Sequence, residues 1–343
     1  MPRHLCVVTT AHPYDDVRVY SKVARSFVER GWRVSWVGPD RHYFTTEPLV
    51  DRGVTHHLVP GPKGKVGRLT VRRSLRIAAR EVLDVDWYYT PDPDGVTLAL
   101  DLAAKGGGSV LFDIHEAFHG ALLTRWTMGR RIPLLPSIVR RRMEHLAARC
   151  DVVSAVSQSL LETYAGDSPE DQAVLLRNAA PLAFSQGATP GMRSTQGQPI
   201  RFMHGKALLN NGTPVLLEAA RLLLDRGHDG FQIVLFDSMS GEYGAYDPGL
   251  HDRIEELGVD RVVDARPSVP HAEMYAVLDT CDVGLISYGR ELGADSLPNR
   301  FFEYLARGLP VVVPEYSPEM SDTVLTNGLG VTADFEDSAL VAD

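Results

Sequence analysis

Short apolar runs alternate with stretches of helical period along the whole chain. In the first half the runs are residues 5–10 (LCVVTT), 33–38 (RVSWVG), 54–59 (VTHHLV), 86–90 (DWYYT), 110–114 (VLFDI) and 151–156 (DVVSAV). Their length and their β-branched and aromatic content predict strands. Helical patterns lie between them, over Val17 to Arg30 (closed by Gly31), Leu69 to Val82, Gly95 to Ala104 and Pro136 to Arg149. Such alternation predicts βαβ units and a mostly parallel sheet covered on both faces. Residues 185–199 (SQGATPGMRSTQGQP) break the pattern, and their Gly, Pro, Ser and Gln content predicts an interdomain linker.

The alternation then restarts. Strand-like runs are 200–204 (IRFMH), 231–236 (FQIVLF), 261–265 (RVVDA), 282–287 (DVGLIS) and 309–314 (LPVVVP). Helical patterns cover Thr213 to Asp225, Pro248 to Leu257, His271 to Thr280 and Leu297 to Ala306. The predicted fold class is therefore α/β, with two doubly wound Rossmann-like domains, residues 1–184 and 200–343, facing a central cleft. The expected ligand site is the crevice at the carboxyl ends of the strands.

Composition narrows the function classes. A chain of 343 residues can build two cores. With 44% apolar and 23% charged residues it is neither disordered, collagen-like nor a disulfide miniprotein. No apolar run approaches the ~18 residues of a membrane span. The net charge of −9 argues against a general nucleic-acid binder. Cys6, Cys150 and Cys281 are far apart and lie in or beside apolar runs, which predicts buried free thiols in a reducing compartment. No signal-peptide pattern precedes the first strand, so a cytoplasmic location is expected.

Several familiar motifs are missing. No G-x-G-x-x-G follows the first strand, and neither a P-loop nor a G-x-S-x-G elbow is found. His115-Glu116-Ala117-Phe118-His119 does fit H-E-x-x-H. A zinc site of that type needs both histidines on one helical face, with Glu116 as base. His115 instead follows a strand directly, which is a poor setting for it. Loop histidines without a ligand, or a sugar contact for His115, are the competing readings.

Three segments carry more weight. The loop 11–22 (AHPYDDVRVYSK) follows the first strand and places Asp15, Asp16 and Arg18 ahead of a helix. Carboxylates there suit the helix dipole, as caps or as part of a crevice lining. The segment 204–212 (HGKALLNNG) puts Lys206 just after a strand, placed to meet an anion or simply solvated. The richest segment is 294–315 (ADSLPNRFFEYLARGLPVVVPE). Pro298 opens a helix, Asn299 and Arg300 fall in its first turn, and Glu303 lies one turn in. The helix N-terminus and Arg300 can hold a phosphate, and Glu303 can accept hydrogen bonds from a ribose diol.

These residues resemble the GT-B glycosyltransferases, specifically the large retaining family 4 of bacterial enzymes. The match runs over nearly the whole chain. It includes AHPYDDVRVYSKVARSFVERGWRVSWVG, LFDIHE, ARCDVVSAVSQSL, SVPHAEMYAVLDTCDVGLIS and, most specifically, SLPNRFFEYLARGLPVVV. The resemblance implies a retaining transfer of a sugar from a nucleotide diphosphate sugar to an acceptor hydroxyl, with no cofactor and no obligatory metal. It implies candidate catalytic roles for His115, Lys206 and Asp295. Glu303 matches the second carboxylate of the family's E-x7-E motif, which holds the donor ribose, and Asp295 the first, which faces the sugar. Leu297, Pro298, Asn299 and Arg300 correspond to the turn at the diphosphate, with Gly205, Lys206 and Asn211 completing the donor site. His12, Asp16, Arg18 and Glu116 lie where phosphates and acceptor meet.

Three departures are visible. Asn211 stands where the family usually has a second Lys, Asp295 replaces a Glu, and the family's last helices are expected beyond the pattern seen before Asp343. The donor is thus expected to be a nucleotide sugar. The acceptor is left open between a small molecule, a lipid-linked sugar and a saccharide. Residues 116–135, with Phe118, Trp126 and Met128, read as an acceptor lid, as core or as a peripheral membrane contact. A nucleotide-sugar epimerase or hydrolase on the same fold, and a catalytically silent binding partner, are the alternatives.

Overall fold

A computed structural model describes residues 2–14, 16–40, 53–61, 67–115, 117–118, 134–166, 169, 171–188, 197–238 and 247–343. Asp15, Glu116, His119, Trp126 and Met128, named above, lie outside the described residues. The chain divides into two compact units, Met1–Arg177 and Asn178–Asp343.

The first unit is built on seven strands, counted among the described residues. They are His4–Val8 (β1), Arg33–Asp40 (β2), Val54–Pro60 (β3), Trp87–Thr90 (β4), Ser109–Ile114 (β5), Val152–Ala155 (β6) and Ala173–Leu175 (β7). They are parallel, in the order β3-β2-β1-β4-β5-β6-β7. Every residue of β1 is buried. Successive side chains point to opposite faces. Accordingly Cys6 and Val8 join one core, with Phe112, Leu98 and Val153, while Leu5 and Val7 join another around Trp36 and Tyr20. This two-sided burial is why the parallel strands read as continuous apolar runs. Among the described residues the unit's α-helices are Arg25–Glu29 (α1), Gly67–Ala79 (α2), Pro93–Gly106 (α3), Leu135–Ala147 (α4) and Gln158–Ala165 (α5).

The second unit repeats the plan with Ile200–Lys206 (β8), Phe231–Ser238 (β9), Val263–Pro267 (β10), Val283–Leu285 (β11), Val311–Pro314 (β12) and Gly330–Ala333 (β13). The order is β10-β9-β8-β11-β12-β13, again parallel. The helices are Leu182–Ser185 (α6), Thr213–Asp225 (α7), Leu250–Leu257 (α8), Met274–Leu278 (α9), Arg290–Gly293 (α10), Asn299–Ala306 (α11), Pro318–Asn327 (α12) and Ser338–Ala342 (α13). In α7 the buried Leu216, Leu217, Ala220 and Leu224 form the stripe that a 3.6-residue period requires.

Two details depart from the pattern reading. The segment Val17–Ala24 is π-helical rather than α-helical, and only Arg25–Glu29 continues as α-helix. The Asp16 carbonyl accepts from both Tyr20 N and Ser21 N, at 3.1 and 3.0 Å. The division of the chain at Arg177 also precedes the polar stretch 185–199. Phe184 belongs to the second unit's core with Phe301 and Met203, which ties residues 178–188 to that unit. The three cysteines are buried and not joined in disulfides, and burial pushes the Cys6 and Cys150 thiols up to about 12. Among the described residues, no helix is long and apolar enough to cross a membrane.

Charge is distributed unevenly. The first unit carries 24 Lys and Arg against 20 Asp and Glu, and the second carries 11 against 24.

Candidate functional site

In an open parallel sheet, ligands bind outside the carboxyl ends of strands where the strand order reverses. The reversal falls between β1 and β4 in the first unit and between β8 and β11 in the second. The segments after these four strands carry most of the polar residues singled out by sequence.

In the second unit, β8 ends at Gly205 and Lys206. Gly205 has φ +89°, and a Cβ there would stand 3.1 Å from Arg300 Nη1 and 3.3 Å from the Tyr304 hydroxyl. The close approach of α11 to this strand end therefore depends on glycine. Arg300 Nη1 donates to the His204 carbonyl at 2.5 Å, and the guanidinium lies 4.6 Å from the Tyr288 ring centroid. Its Nε and Nη2 are buried without an acceptor, and no described carboxylate pairs with it. Uncompensated buried charge is costly, so this arginine is poised for an anion.

Beneath the loop 206–212 lies a buried polar network. His204 Nε2 is 2.8 Å from Thr213 Oγ1, and Nδ1 is 3.0 Å from Ser287 Oγ. The Thr213 hydroxyl also lies 3.0 Å from the Leu208 carbonyl oxygen and the Ser287 hydroxyl 2.7 Å from the Asn211 carbonyl oxygen. Burial, and then the nearby Arg300 charge, push His204 well below the ordinary imidazole value, so the ring is neutral. A neutral ring has one N–H, so one of the two hydroxyls must turn its proton to the ring. Gly212 closes the loop at φ +80°, where a Cβ would fall 1.7 Å from the Ser287 carbonyl oxygen.

Glu303, one turn into α11, has only 8% of its side chain exposed. Its Oε1 accepts from His271 Nε2 at 2.9 Å, while Oε2 makes no hydrogen bond among the described residues. A nearly buried carboxylate with one oxygen unanswered fits a ligand hydroxyl. The start of α11 has Pro298 as N-cap and no capping side chain. The preceding turn is pinned by Asn178, whose Nδ2 donates to the Leu297 carbonyl at 2.8 Å.

In the first unit, Asp92 follows β4 and gathers the chain leaving β1. One oxygen accepts from Thr9 Oγ1 at 2.6 Å and from Thr10 N at 2.7 Å. The other lies 3.5 Å from His12 Nε2. Asp16 accepts from Val19 N at 2.7 Å and stands 3.3 Å from His12 Nδ1. Burial works to raise the Asp16 carboxyl, but His12 and the Val19 N–H outweigh it and hold it at about 2. The His12 and His115 rings meet edge to face at 4.9 Å.

The structure thus brings His12, Asp16 and His115 together and adds Asp92. Arg18 is engaged elsewhere, its Nε and Nη2 clasping Asp113 at 2.9 and 2.8 Å. Gly205, Lys206, Asn211, Leu297, Pro298, Asn299, Arg300 and Glu303 lie on the segments around the β8 and β11 ends and the start of α11. Lys206 is exposed and Asp295 half-buried. Asn211 spends its Nδ2 on the Lys206 carbonyl at 3.2 Å, so it braces the loop. Sequence reasoning missed His271, His204, Ser287, Asn178 and Asp92. Only Asp92 carries a local signal, the PDPDG turn pattern at 91–95.

The sequence matches no family model and no curated protein. Solved structures do match. A sucrose-phosphate synthase from Thermosynechococcus elongatus aligns over 99% of this chain and 88% of its own, with TM-score 0.75 and 11% identity. HepE of Anabaena in complex with UDP-glucose aligns over 99% and 87%, with TM-score 0.66 and 12% identity. An α,α-trehalose 6-phosphate synthase from Burkholderia multivorans aligns over 100% and 90%, with TM-score 0.67 and 15% identity. The chain has the GT-B fold. In this GT-B chain each Rossmann-like sheet has one reversal point, at β1/β4 and at β8/β11.

Proposed function

We propose that the chain is a glycosyltransferase that takes a nucleoside diphosphate sugar as donor and transfers the sugar to an acceptor hydroxyl with retention of configuration. The observation that carries the reading is the pair on α11. Arg300 is a cation without a carboxylate, and Glu303 is a nearly buried carboxylate with one unanswered oxygen, one turn apart. A nucleoside diphosphate has a matching anion and a ribose diol. The similar structures of HepE and of the E. coli trehalose-6-phosphate protein hold UDP-glucose and UDP-2-fluoro glucose, which makes UDP-glucose the first donor to test.

The bond between the anomeric carbon and the diphosphate oxygen breaks, and the acceptor oxygen forms its bond on the same face. The acceptor proton passes to the departing phosphate oxygen. Stabilising that leaving group lowers the barrier most. Arg300, Lys206 and the N-terminal N–H groups of α11 supply this here. In the first unit, His115 is the candidate contact of the transferred sugar, with His12, Asp16 and Asp92 around it. Asp295 is the candidate partner of the sugar hydroxyls.

Thermal unfolding against UDP, GDP, dTDP and ADP tests the reading, because a ligand of the native state raises the midpoint. A shift with one of them supports the donor site. The absence of any shift sinks it. A second reading, a silent partner that binds nucleotide without turnover, is favoured by Asn211, which braces a loop where the family has a cation. Product analysis with UDP-glucose separates the two.

A further inference from the structure

The carboxylate that faces the donor ribose in the reading above is not held by its own helix. Glu303 sits on α11, and its hydrogen-bond partner is His271, 32 positions earlier in the sequence. His271 opens a short 3₁₀ turn, His271–Glu273, that leads into α9. The ring is fixed from a second side by Phe184 of α6, with centroids 5.2 Å apart and 32° between the planes. Phe184 is itself anchored. Its side chain is in the core with Phe301, and its carbonyl accepts from Arg307 Nη1 at 3.0 Å. Arg307 closes α11 and also clasps Asp279, just beyond α9.

The geometry has a chemical consequence. A glutamate side chain has three torsions, and its terminal torsion is broad, so an unrestrained carboxylate presents its oxygens in many directions. The His271 N–H fixes one oxygen. The plane of the carboxylate is then set, and Oε2 is left as the single unanswered acceptor. An acceptor held in one direction favours a ligand that supplies a hydroxyl there over one that lacks it, because the hydrogen bond to a charged oxygen is lost with the hydroxyl.

We propose that His271 is a positioning residue that turns Glu303 into a reader of the ribose, so that the protein distinguishes ribonucleoside from 2′-deoxyribonucleoside diphosphates. The inference rests on Glu303 facing the donor ribose. His271 acts through Glu303, and Phe184 acts through His271.

The test is calorimetric binding of UDP and of 2′-deoxy-UDP to the full chain, wild type, His271→Phe and His271→Gln. Phenylalanine keeps a ring against Phe184 but has no donor. Glutamine keeps a donor on a flexible chain. Wild type is expected to prefer UDP at least tenfold. His271→Phe is expected to bring the two affinities within about twofold of each other. His271→Gln is expected to restore at least part of the preference. A merely structural role would weaken both ligands alike and leave their ratio unchanged. A retained ratio in His271→Phe overturns the proposal, and so does a wild type that binds both equally. If wild type binds neither UDP nor GDP, dTDP or ADP, the donor-site reading itself is lost, and this inference with it.

Discussion

Arg18 is buried and Arg300 half-buried, one in each unit, and they are treated differently. Arg18 forms a two-pronged pair with Asp113, which also accepts from Tyr89 and Ser154, at 2.5 and 2.8 Å. Burial works to raise the Asp113 carboxyl, but the Arg18 guanidinium outweighs it and keeps the group ionised. Arg300 has one carbonyl and an aromatic face, and two of its nitrogens have no acceptor. A buried arginine supplied with its own carboxylate serves the fold. One left without a counter-ion is held for something that arrives. The inventory of partners separates the two roles.

Several measurements would break or sharpen this contrast. The largest expected effect is on Arg18. Arg18→Met leaves Asp113 buried and uncompensated, and should cost about 3–5 kcal/mol of stability in urea unfolding. Arg300→Met should cost less, about 1 kcal/mol, since it removes one hydrogen bond to a carbonyl and a ring contact but breaks no ion pair among the described residues. Equal losses would end the distinction. Next, Arg300→Met and Glu303→Ala should each weaken nucleoside diphosphate binding at least about tenfold, or about 1.4 kcal/mol. Unchanged calorimetric affinity would remove that residue from the site.

The third effect is pH-dependent. Below the ordinary imidazole value of 6.5 the unfolded chain takes up a proton that folded His204 refuses. The second unit therefore loses stability as pH falls below 6.5, by at most about 1.4 kcal/mol per pH unit. Asp16 acts later. With its carboxyl at about 2, its contribution is full above the ordinary 3.8 and is lost as pH falls towards 2. Asp113 loses in the same direction. His4 gives the first unit a shallower early loss, since burial and Arg33 lower it less than His204 is lowered. Melting at stepped pH should thus show the second unit losing more stability than the first below 6.5, and Arg300→Met should blunt that loss. Coincident loss in both units would contradict this. The smallest effect is Ser287→Ala, which frees the Asn211 carbonyl and should cost about 1 kcal/mol.

Much of this was legible in the sequence, for a physical reason. Strands buried largely on both faces are mostly apolar, so β1, β2, β5, β8, β9 and β12 stand out as runs. β7 and β13 do not, because three or four half-exposed edge residues leave no such run. The π-helical turn at Val17–Ala24 has an apolar pattern like that of an α-helix, and periodicity could not separate them. In the site, Arg300 and Glu303 were visible through the spacing of one helix. His271, Asn178 and Asp92 were not, because each acts on a residue 32 or more positions away. The reading of Asn211 as a lost cation was local too, and only the loop geometry shows what its amide does instead.

The uneven charge of the two units has a kinetic meaning. A nucleoside diphosphate approaching the second unit meets a surface with more than twice as many acids as bases. Within a Debye length of ~8 Å at physiological salt that net negative field repels it, and farther out it is screened. Attraction begins only within reach of Lys206 and Arg300. Added salt should therefore quicken the encounter while weakening the final grip. Donor capture by this chain would then be gated by ionic strength in opposite directions at its first and last steps.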